Sequence, residues 1–419
     1  MRHDGLMKSR FALLFLFVTG TLVAQGDKPA PGGGEALGGL GAWLAKERGA
    51  RPELGEQAFA KLPLAKADAA EAQKLIWADH LAMLKATRKG EVENKRLKIG
   101  DKEMPYLVKV FGDKPETGRS LYISMHGGGG APKRVNDQQW QNQIRLYQPD
   151  EGIYLAPRAP TDTWNLWHQG HIDGLFDRLI ENLIALEDVN PDKVYLMGYS
   201  AGGDGVYQLA PRMADRFAAA AMMAGHPNET SPLGLRNLPF TLHVGGNDRA
   251  YKRNEIVPQW DKKLSELQEA DPGGYIHLAK VHEGKPHWMN LEDKVAVPWM
   301  AKYTRKRFPD RVVWKQDDVT HRRFYWLGIP EDSVKARQLV IARRDGQTFT
   351  IEKVEDVASL TVFVNDEMVD MDQPVVVKLG DKELFKGKIK RSLAAIHGTM
   401  VGRGDPGLVF YGGVTVKLP

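Results

Sequence analysis

The spacing of apolar side chains in the first part of the chain predicts a helical region over residues 42–89, most clearly over 69–84. There, Ala72, Ile76 and Leu84 recur among polar neighbours, so that one face of the helix is apolar. An amphipathic helix needs a second surface to cover that face. We therefore expect this region to pack against a larger body.

From about residue 104 the pattern changes to short apolar runs that alternate with helical spacing. The segment 172–184 has apolar residues three and four apart and predicts an amphipathic helix of about four turns. The strand-like runs lie at residues 106–111, 121–125, 153–155, 194–197, 219–224, 240–244 and 275–281. Strands that alternate with helices form a mostly parallel sheet that helices cover on both faces.

Beyond about residue 310 the pattern changes again, to short strands at close intervals. An Asp345-Gly346 turn separates runs at 339–342 and 348–351, which is typical of an antiparallel hairpin. Further runs lie at 360–364, 375–379, 384–389 and 414–418. We therefore expect two domains: an α/β domain with an N-terminal helical extension over 42–310, and a β-sandwich-like domain over 311–419.

The N-terminus has the layout of a secretory signal peptide over residues 1–25. Lys8 and Arg10 precede the apolar run 11–18, and Met7 is an alternative start that gives a tighter basic region. The apolar stretch is shorter than the roughly 20 residues that span a bilayer. A cleaved leader is therefore favoured over a retained membrane anchor.

Residues 26–41 follow the leader and are rich in glycine and proline. Such a composition buries little apolar surface, so we expect these residues to form a linker. With the leader removed, the mature protein is predicted to be secreted or periplasmic, without stable membrane insertion.

Composition and charge narrow the range of partners. The 419 residues include 58 basic and 53 acidic side chains, a formal net charge of +5, without a long basic block. Nucleic-acid binding is therefore not expected. The chain has no cysteine, which excludes disulfides, thiolate metal ligands and lipid attachment through a cysteine.

The sequence GYSAGG, residues 198–203, follows the apolar run 194–197 and centres on Ser200. Glycines two positions before and after a serine permit a turn too sharp for larger side chains, because a β-carbon would collide with the neighbouring strand or helix. Such a turn presents the serine hydroxyl for nucleophilic attack. In a chain with 43 glycines the string also arises by chance. It therefore indicates a nucleophile only if the other residues of a catalytic site accompany it.

A serine nucleophile needs a base, an acid that orients the base, and backbone N–H groups for the oxyanion. Asp248 follows the run 240–244 and His287 follows the run 275–281, so both lie on loops at strand ends. The chain order of serine, acid and histidine is the one expected for α/β-hydrolases. Ser200, Asp248 and His287 are therefore the candidate nucleophile, orienting acid and base.

The sequence MHGGGG, residues 125–130, follows the run 121–125, and its glycines let backbone N–H groups approach a substrate oxygen. Together with GYSAGG, the GGND that ends at Asp248 and the late histidine, this motif resembles the α/β-hydrolase superfamily. Within it, the chain is similar to secreted esterases such as poly(3-hydroxybutyrate) depolymerases, feruloyl esterases and carboxylesterases. The resemblance covers residues 104–308.

The resemblance implies an α/β-hydrolase fold, a serine hydrolase activity and no cofactor. It also implies an oxyanion hole formed by the amides of Ala201 and of Gly127 or Gly128. His126 is expected to brace the glycine loop through a hydrogen bond. One departure is the short segment 225–239, where many relatives insert a helical cap, and an uncapped site suits bulky or polymeric esters.

The assignment of base and acid has alternatives. His282 and His226 are rival bases, and we favour His287 because its loop position leaves the imidazole free to reach Ser200. Asp204 is a rival acid, but its place on the helix after the serine better suits a helix-surface carboxylate or a hydrogen bond to local backbone.

The loop after the third strand-like run carries further candidates. His168, His171 and Asp173 offer a set of metal ligands, but no other ligand cluster accompanies them, and we expect no metal. Trp164 and Trp167 have two open roles: they line an acyl or aromatic substrate pocket, or they pack the loop.

The sequence therefore predicts a secreted serine hydrolase that cleaves small or polymeric carboxylic esters through an acyl-enzyme. A serine peptidase of the same fold is one alternative, because the same triad acts on amides. A non-catalytic envelope or polymer-binding protein is the second. For the C-terminal domain, packing on the hydrolase is favoured over polymer binding, because it has no periodic exposed aromatic platform.

Overall fold

The apolar runs of the α/β region become the strands of one eight-stranded sheet. The structure, a computed structural model, describes residues 32–419, so the expected leader lies outside the described residues. The strands are β1 (Arg96–Ile99), β2 (Lys102–Phe111), β3 (Arg119–Met125), β4 (Gly152–Pro157), β5 (Val189–Tyr199), β6 (Ala219–Met223), β7 (Phe240–Gly245) and β8 (His277–His282).

The strand order confirms the predicted fold. It runs β1-β2-β4-β3-β5-β6-β7-β8, with β1 and β2 antiparallel to each other, β2 antiparallel to β4, and every pair from β4 to β8 parallel. An open parallel sheet with this order and an antiparallel start is the sheet of an α/β-hydrolase.

Helices cover both faces of this sheet. The helices of the chain are α1 (Gly33–Leu44), α2 (Lys66–Glu93), α3 (Lys133–Gln143), α4 (His171–Glu187), α5 (Ala201–Arg212), α6 (Arg253–Ala270), α7 (Ala296–Met300) and α8 (Leu393–Val401). In β5, Val194 and Leu196 join the core under α4, α5 and α6, whereas Tyr195 and Met197 join the core under α7. The alternation follows from the two-residue period of a strand.

Helix α1 corrects part of the linker that the composition predicts over residues 26–41: residues 33–41 are helical, and residues 26–31 lie outside the described residues. Ala36 and Leu40 are buried on one face of α1 and pack in a core with α2 and α8. A β-carbon on Gly39 would overlap the ring of Phe59, so this glycine permits close packing. The composition rule failed because it counts apolar residues and does not register that they share one helical face.

The C-terminal part forms two sheets, as expected for a β-sandwich-like unit. Its strands are β9 (Arg311–Lys315), β10 (Arg323–Phe324), β11 (Leu327–Gly328), β12 (Leu339–Asp345), β13 (Thr348–Glu355), β14 (Ser359–Val364), β15 (Val375–Leu379), β16 (Lys382–Gly387) and β17 (Gly412–Lys417). The orders are β10-β11-β14-β17 and β16-β15-β13-β12-β9. Trp326, beside β11, packs edge-on against Phe349 of β13 at 5.2 Å between ring centroids, and so joins the two sheets.

Buried charges cross between the two parts of the chain. Arg305 donates to Asp405 at 2.7 Å and to the carbonyl of Asp215 at 2.8 Å, and Arg403 pairs with the Asp215 carboxylate. The boundary near residue 310 stays a prediction. Among residues 32–419, no helix combines the length and the apolar character needed to cross a membrane.

Asp405 should contribute a large share of the stability that these ion pairs between the two parts provide. Its carboxylate has no exposed surface and faces Arg305 and Arg216. Burial alone would raise its pKa, but the two guanidinium groups lower the pKa of Asp405 to about 2. We expect Asp405→Asn to lower the free energy of unfolding by about 3 kcal/mol at pH 7, because it leaves buried cations without their partner.

Urea titrations from pH 7 to pH 2 would measure this effect. Since the pKa of Asp405 is lower in the folded state, its contribution should be complete above about pH 4 and should disappear as the pH falls towards 2. The control is Asp188→Asn, which removes an exposed pair with Lys114 and should cost less than about 1 kcal/mol. Equal losses in both variants would contradict the prediction.

Candidate active site

Ser200 lies at the turn between β5 and α5 in a strained backbone conformation. Its φ is 57° and its ψ is −120°, a region that residues with side chains seldom adopt. Two backbone bonds hold the turn: the Ser200 N–H donates to the carbonyl of Met223, and the Ser200 carbonyl accepts from the Asp204 N–H, each at 2.9 Å. The turn therefore raises the hydroxyl above the carboxyl end of the sheet.

The glycines around Ser200 are required by contact with other backbone segments. A β-carbon on Gly198 would overlap the carbonyl of Gly202, and one on Gly202 would overlap the carbonyl of Met125 at the end of β3. On Gly203 it would lie 2.5 Å from the carbonyl of Met223 at the end of β6. The GYSAGG spacing thus reflects the close approach of three strand ends.

The structure brings together the three residues that the sequence singled out. His287 Nε2 lies 3.0 Å from Ser200 Oγ, and His287 Nδ1 lies 2.7 Å from Asp248 Oδ2. Asp248 is 2% exposed, and Arg253 Nη1 lies 3.8 Å from its second oxygen. Because a carboxylate only accepts hydrogen bonds, Nδ1 carries the proton in this tautomer and Nε2 is free to accept from the serine hydroxyl.

The rival base and acid residues have other partners. His282 is buried, with its ring nitrogens 3.2 Å from His243 and 3.3 Å from Glu292. Asp204 accepts the backbone N–H of His226 at 2.6 Å, which is the local hydrogen bond expected for it. The geometry therefore favours the pair of Asp248 and His287.

The glycine loop passes directly beside Ser200. A β-carbon on Gly127 would lie 3.1 Å from Ser200 Cβ, and one on Gly128, whose φ is 105°, would overlap Asn136 Oδ1. Among the described residues, the N–H groups of Gly128 and Ala201 donate to no protein acceptor. These donors are available for an oxyanion next to Ser200 Oγ.

His126 braces this loop, as the sequence predicts. Its Nδ1–H donates to the carbonyl of Gly127 at 2.6 Å, and its Nε2 accepts the N–H of Ala159 at 3.2 Å. In a trans peptide the carbonyl and the following N–H point in opposite directions, so this bond turns the Gly128 N–H away from His126. Burial lowers the pKa of His126 to about 4, which keeps the ring neutral at physiological pH.

A cavity of about 550 Å³ opens over Ser200. Beside the serine, the base and the glycine loop, its lining residues are Gln139, Asn142, Gln143, Arg145, Leu146, Tyr199 and Trp288. Between β6 and β7 the described chain contains only the short 3₁₀ helix Pro232–Asn237, which agrees with the expected lack of a helical cap at this point. The side chain of His287 is 40% exposed, so the cavity reaches solvent beside the base.

The two tryptophans of the preceding loop differ in environment. Trp167 has no exposed surface and donates its indole N–H to the carbonyl of His126 at 2.9 Å. The prediction that it lines a substrate pocket is therefore corrected, since it packs under the glycine loop instead. Trp164 is 63% exposed and contacts His168 edge-on; a substrate-binding role for Trp164 stays a prediction.

Sequence reasoning missed two aromatic residues at the site. The Tyr199 hydroxyl donates to the carbonyl of His287 at 2.6 Å and accepts the N–H of Met289 at 3.1 Å, so it fixes the loop that carries the base. Trp288 is 42% exposed in the cavity wall. In the sequence, only their positions point to them: Tyr199 directly precedes Ser200, and Trp288 directly follows His287.

The structure does not assemble the metal ligands considered in the sequence. Asp173 pairs with Arg212 and lies 2.7 Å from Nε2 of His321, whereas His168 and His171 do not join it. Within residues 32–419, the grouping with metal-compatible spacing is Glu229, Asp317 and Asp318, and both of these aspartates pair with Arg337.

No protein-family model and no curated protein matches this chain. It is similar to solved structures of low identity. A thermostable esterase is 19% identical with a TM-score of 0.40; the match covers 50% of this chain and 62%, less than two thirds, of the esterase. A poly(3-hydroxybutyrate) depolymerase from Bordetella parapertussis is 15% identical over 49% of this chain and 86% of its own, with a TM-score of 0.38. A feruloyl esterase module from Clostridium thermocellum is 14% identical over 48% and 83%, with a TM-score of 0.34.

The environment of Asp204 leads us to predict how the stability of the fold depends on pH. Burial raises the pKa of Asp204 to about 6, although the N–H of His226 opposes the shift. A pKa raised in the folded state stabilises the fold below the ordinary value near 3.8, and this contribution is lost as the pH rises through 6. Asp204→Asn, which stays neutral, should therefore gain stability relative to the native chain between about pH 4 and 6.

Urea unfolding at intervals from pH 4 to pH 8 would test this expectation. The matched control is Asp381→Asn, which changes an exposed carboxylate at the turn between β15 and β16. A stability difference between Asp204→Asn and the native chain that stays constant over this range would contradict it.

Proposed function

We propose that this protein hydrolyses carboxylic esters through an acyl-enzyme, with Ser200 as nucleophile, His287 as general base and Asp248 as the acid that orients it. The observation that carries the proposal is the hydrogen-bond chain from Asp248 through His287 to Ser200 at the floor of an open cavity. Such a chain is the geometry by which the triad is recognised in unrelated sequences.

In the acylation step, Ser200 Oγ attacks the ester carbonyl carbon while its proton moves to Nε2 of His287. The carbonyl oxygen becomes an oxyanion that accepts hydrogen bonds from the N–H of Ala201 and from that of Gly127 or Gly128. When the intermediate collapses, the bond to the alcohol oxygen breaks, and the alcohol leaves with the proton from Nε2. The acyl group is then bonded to Oγ.

Deacylation repeats these roles with water as the nucleophile. Nε2 takes one proton from the water as its oxygen bonds to the acyl carbon, and returns it to Ser200 Oγ as the acid product leaves. Asp248 remains ionised and holds Nδ1–H throughout. Tyr199 holds the His287 loop through both steps, since its hydroxyl bonds to the carbonyl of His287 itself.

The substrate is proposed to be bulky or polymeric. No helical cap follows β6, and the exposed ring of Trp288 extends the apolar surface beside the serine. The basic, apolar leader supports action outside the cytoplasm, in the periplasm or in the medium.

A fluorophosphonate probe should label Ser200, because it forms a covalent adduct only with an activated serine. Labelling and hydrolysis of p-nitrophenyl esters should both be lost in Ser200→Ala and kept in Ser231→Ala, a serine whose hydroxyl accepts the N–H of Leu233. Mass spectrometry of the labelled peptide would locate the adduct. An adduct elsewhere, or none, would reject the proposal, and equal turnover of matched amides would favour the peptidase alternative.

Asp248→Asn should lower kcat by roughly 10³–10⁴-fold, because an amide can donate to Nδ1 and thereby stabilise the wrong tautomer of His287. Asp204→Asn is the matched control and should keep most of the activity, since an amide oxygen can still accept the N–H of His226. The reverse order of the two variants would show that Asp204 is the orienting acid.

A further inference from the structure

A second cavity lies away from Ser200, where the C-terminal part meets α4. Its volume is about 610 Å³, and strands β11 and β14, helix α8 and the segment around β10 line it. The charged residues of the lining are Arg322, Arg323 and Arg403, with the acids Asp177 from the α/β part and Glu331 from the C-terminal part. None of these residues takes part in the proposed ester hydrolysis.

The arginines around this cavity differ in how their charge is balanced. Arg216 donates to Asp177 at 2.6 Å, and Arg403 pairs with Asp215. The nearby Asp405 pairs with both Arg305 and Arg216. Asp177, Asp215 and Asp405 are therefore each already engaged by another cation.

Within residues 32–419, Arg323 is the exception among these arginines. Its Nη2 donates to the carbonyl of Thr399 at 3.0 Å, and no carboxylate lies within ion-pair distance of it. Arg323 is half-buried, and this burial, together with the cations of Arg403 and Arg216, lowers the pKa of Arg323 to about 10. A cation that has lost part of its hydration and has no counter-charge gains from an anion that joins it.

Neighbouring donors are also unsatisfied. The Nε of Arg403 and the Nη1 of Arg216 are buried and have no hydrogen-bond partner within residues 32–419. Buried N–H groups of this kind normally have an acceptor. The cavity has room for one beside helix α8, because a β-carbon on Gly398 would meet no atom within 4 Å.

We propose that this cavity binds an oxyanion, a phosphate, sulfate or carboxylate group, held by Arg323 with Arg403. A guanidinium matches such a group because its parallel N–H donors face two oxygens at once. The anion would supply the missing counter-charge, and Arg403, whose Nε is unsatisfied, lines the same cavity. The site is independent of Ser200 and of the proposed hydrolysis.

Thermal unfolding and isothermal titration calorimetry of the full chain would test the site with sodium phosphate, sulfate and acetate against chloride of equal ionic strength. At an anion concentration 100 times Kd, the wild-type Tm should rise by about 3 °C. The comparison of acetate with phosphate and sulfate distinguishes a planar carboxylate from a tetrahedral ligand.

Three variants make the result specific. Arg323→Gln should abolish the saturable response and, without anion, should unfold no more readily than the wild type, because an unpaired cation is removed. Arg322→Gln is the matched control: Arg322 is exposed and pairs with Glu331, so the response should persist. Gly398→Leu should block binding by filling the cavity while every charge stays in place.

A saturable response to any of the three anions that Arg323→Gln and Gly398→Leu both remove would support the site. A wild-type protein that responds to all three as it does to chloride, or an equal response in Arg323→Gln, would overturn it.

Discussion

The close approach of three backbone segments beneath Ser200 is the constraint on which the site depends. The β5–α5 turn lies against the carbonyls that end β3 and β6, and only glycine fits at Gly202 and Gly203. With φ at 57°, Ser200 is strained, and strain of this kind persists only where the surroundings impose it. The same contact brings the glycine loop beside the hydroxyl, so one packing arrangement positions both the nucleophile and the oxyanion donors.

The base is tied to the same turn from its other side. Tyr199 directly precedes Ser200 and holds the carbonyl of His287, while Asp248 holds the ring. A buried carboxylate between one imidazole and a guanidinium 3.8 Å away has little freedom to rotate. The residues that position the base therefore belong to β5 and to the loop after β7, and their spacing follows from the sheet itself.

Sequence reasoning reached Ser200, Asp248 and His287 because each follows a strand, and parallel strands end at one edge of a sheet. It failed where the packing of side chains, and not the local composition, decides which structure a segment forms. The glycines of α1 predicted a linker, although the helix has a buried apolar face. For Trp167 the sequence left a pocket role and a packing role open, and the structure places the side chain wholly in the core. Tyr199 was missed because its role depends on a loop that is 88 residues away.

The exchange of charges between the two parts explains why the C-terminal part suits a structural role. Asp405 from the C-terminal part pairs with Arg305 of the α/β part, and Arg403 pairs in return with Asp215. Burying these ions takes both parts, because each part supplies a charge that pairs with an opposite charge of the other. Within residues 32–419, Arg216, Arg305 and Arg403 each pair with a carboxylate, whereas Arg323 does not. Arg323 lines the cavity where the two parts meet. An anion bound there would therefore stabilise their contact as well as the single side chain that it neutralises.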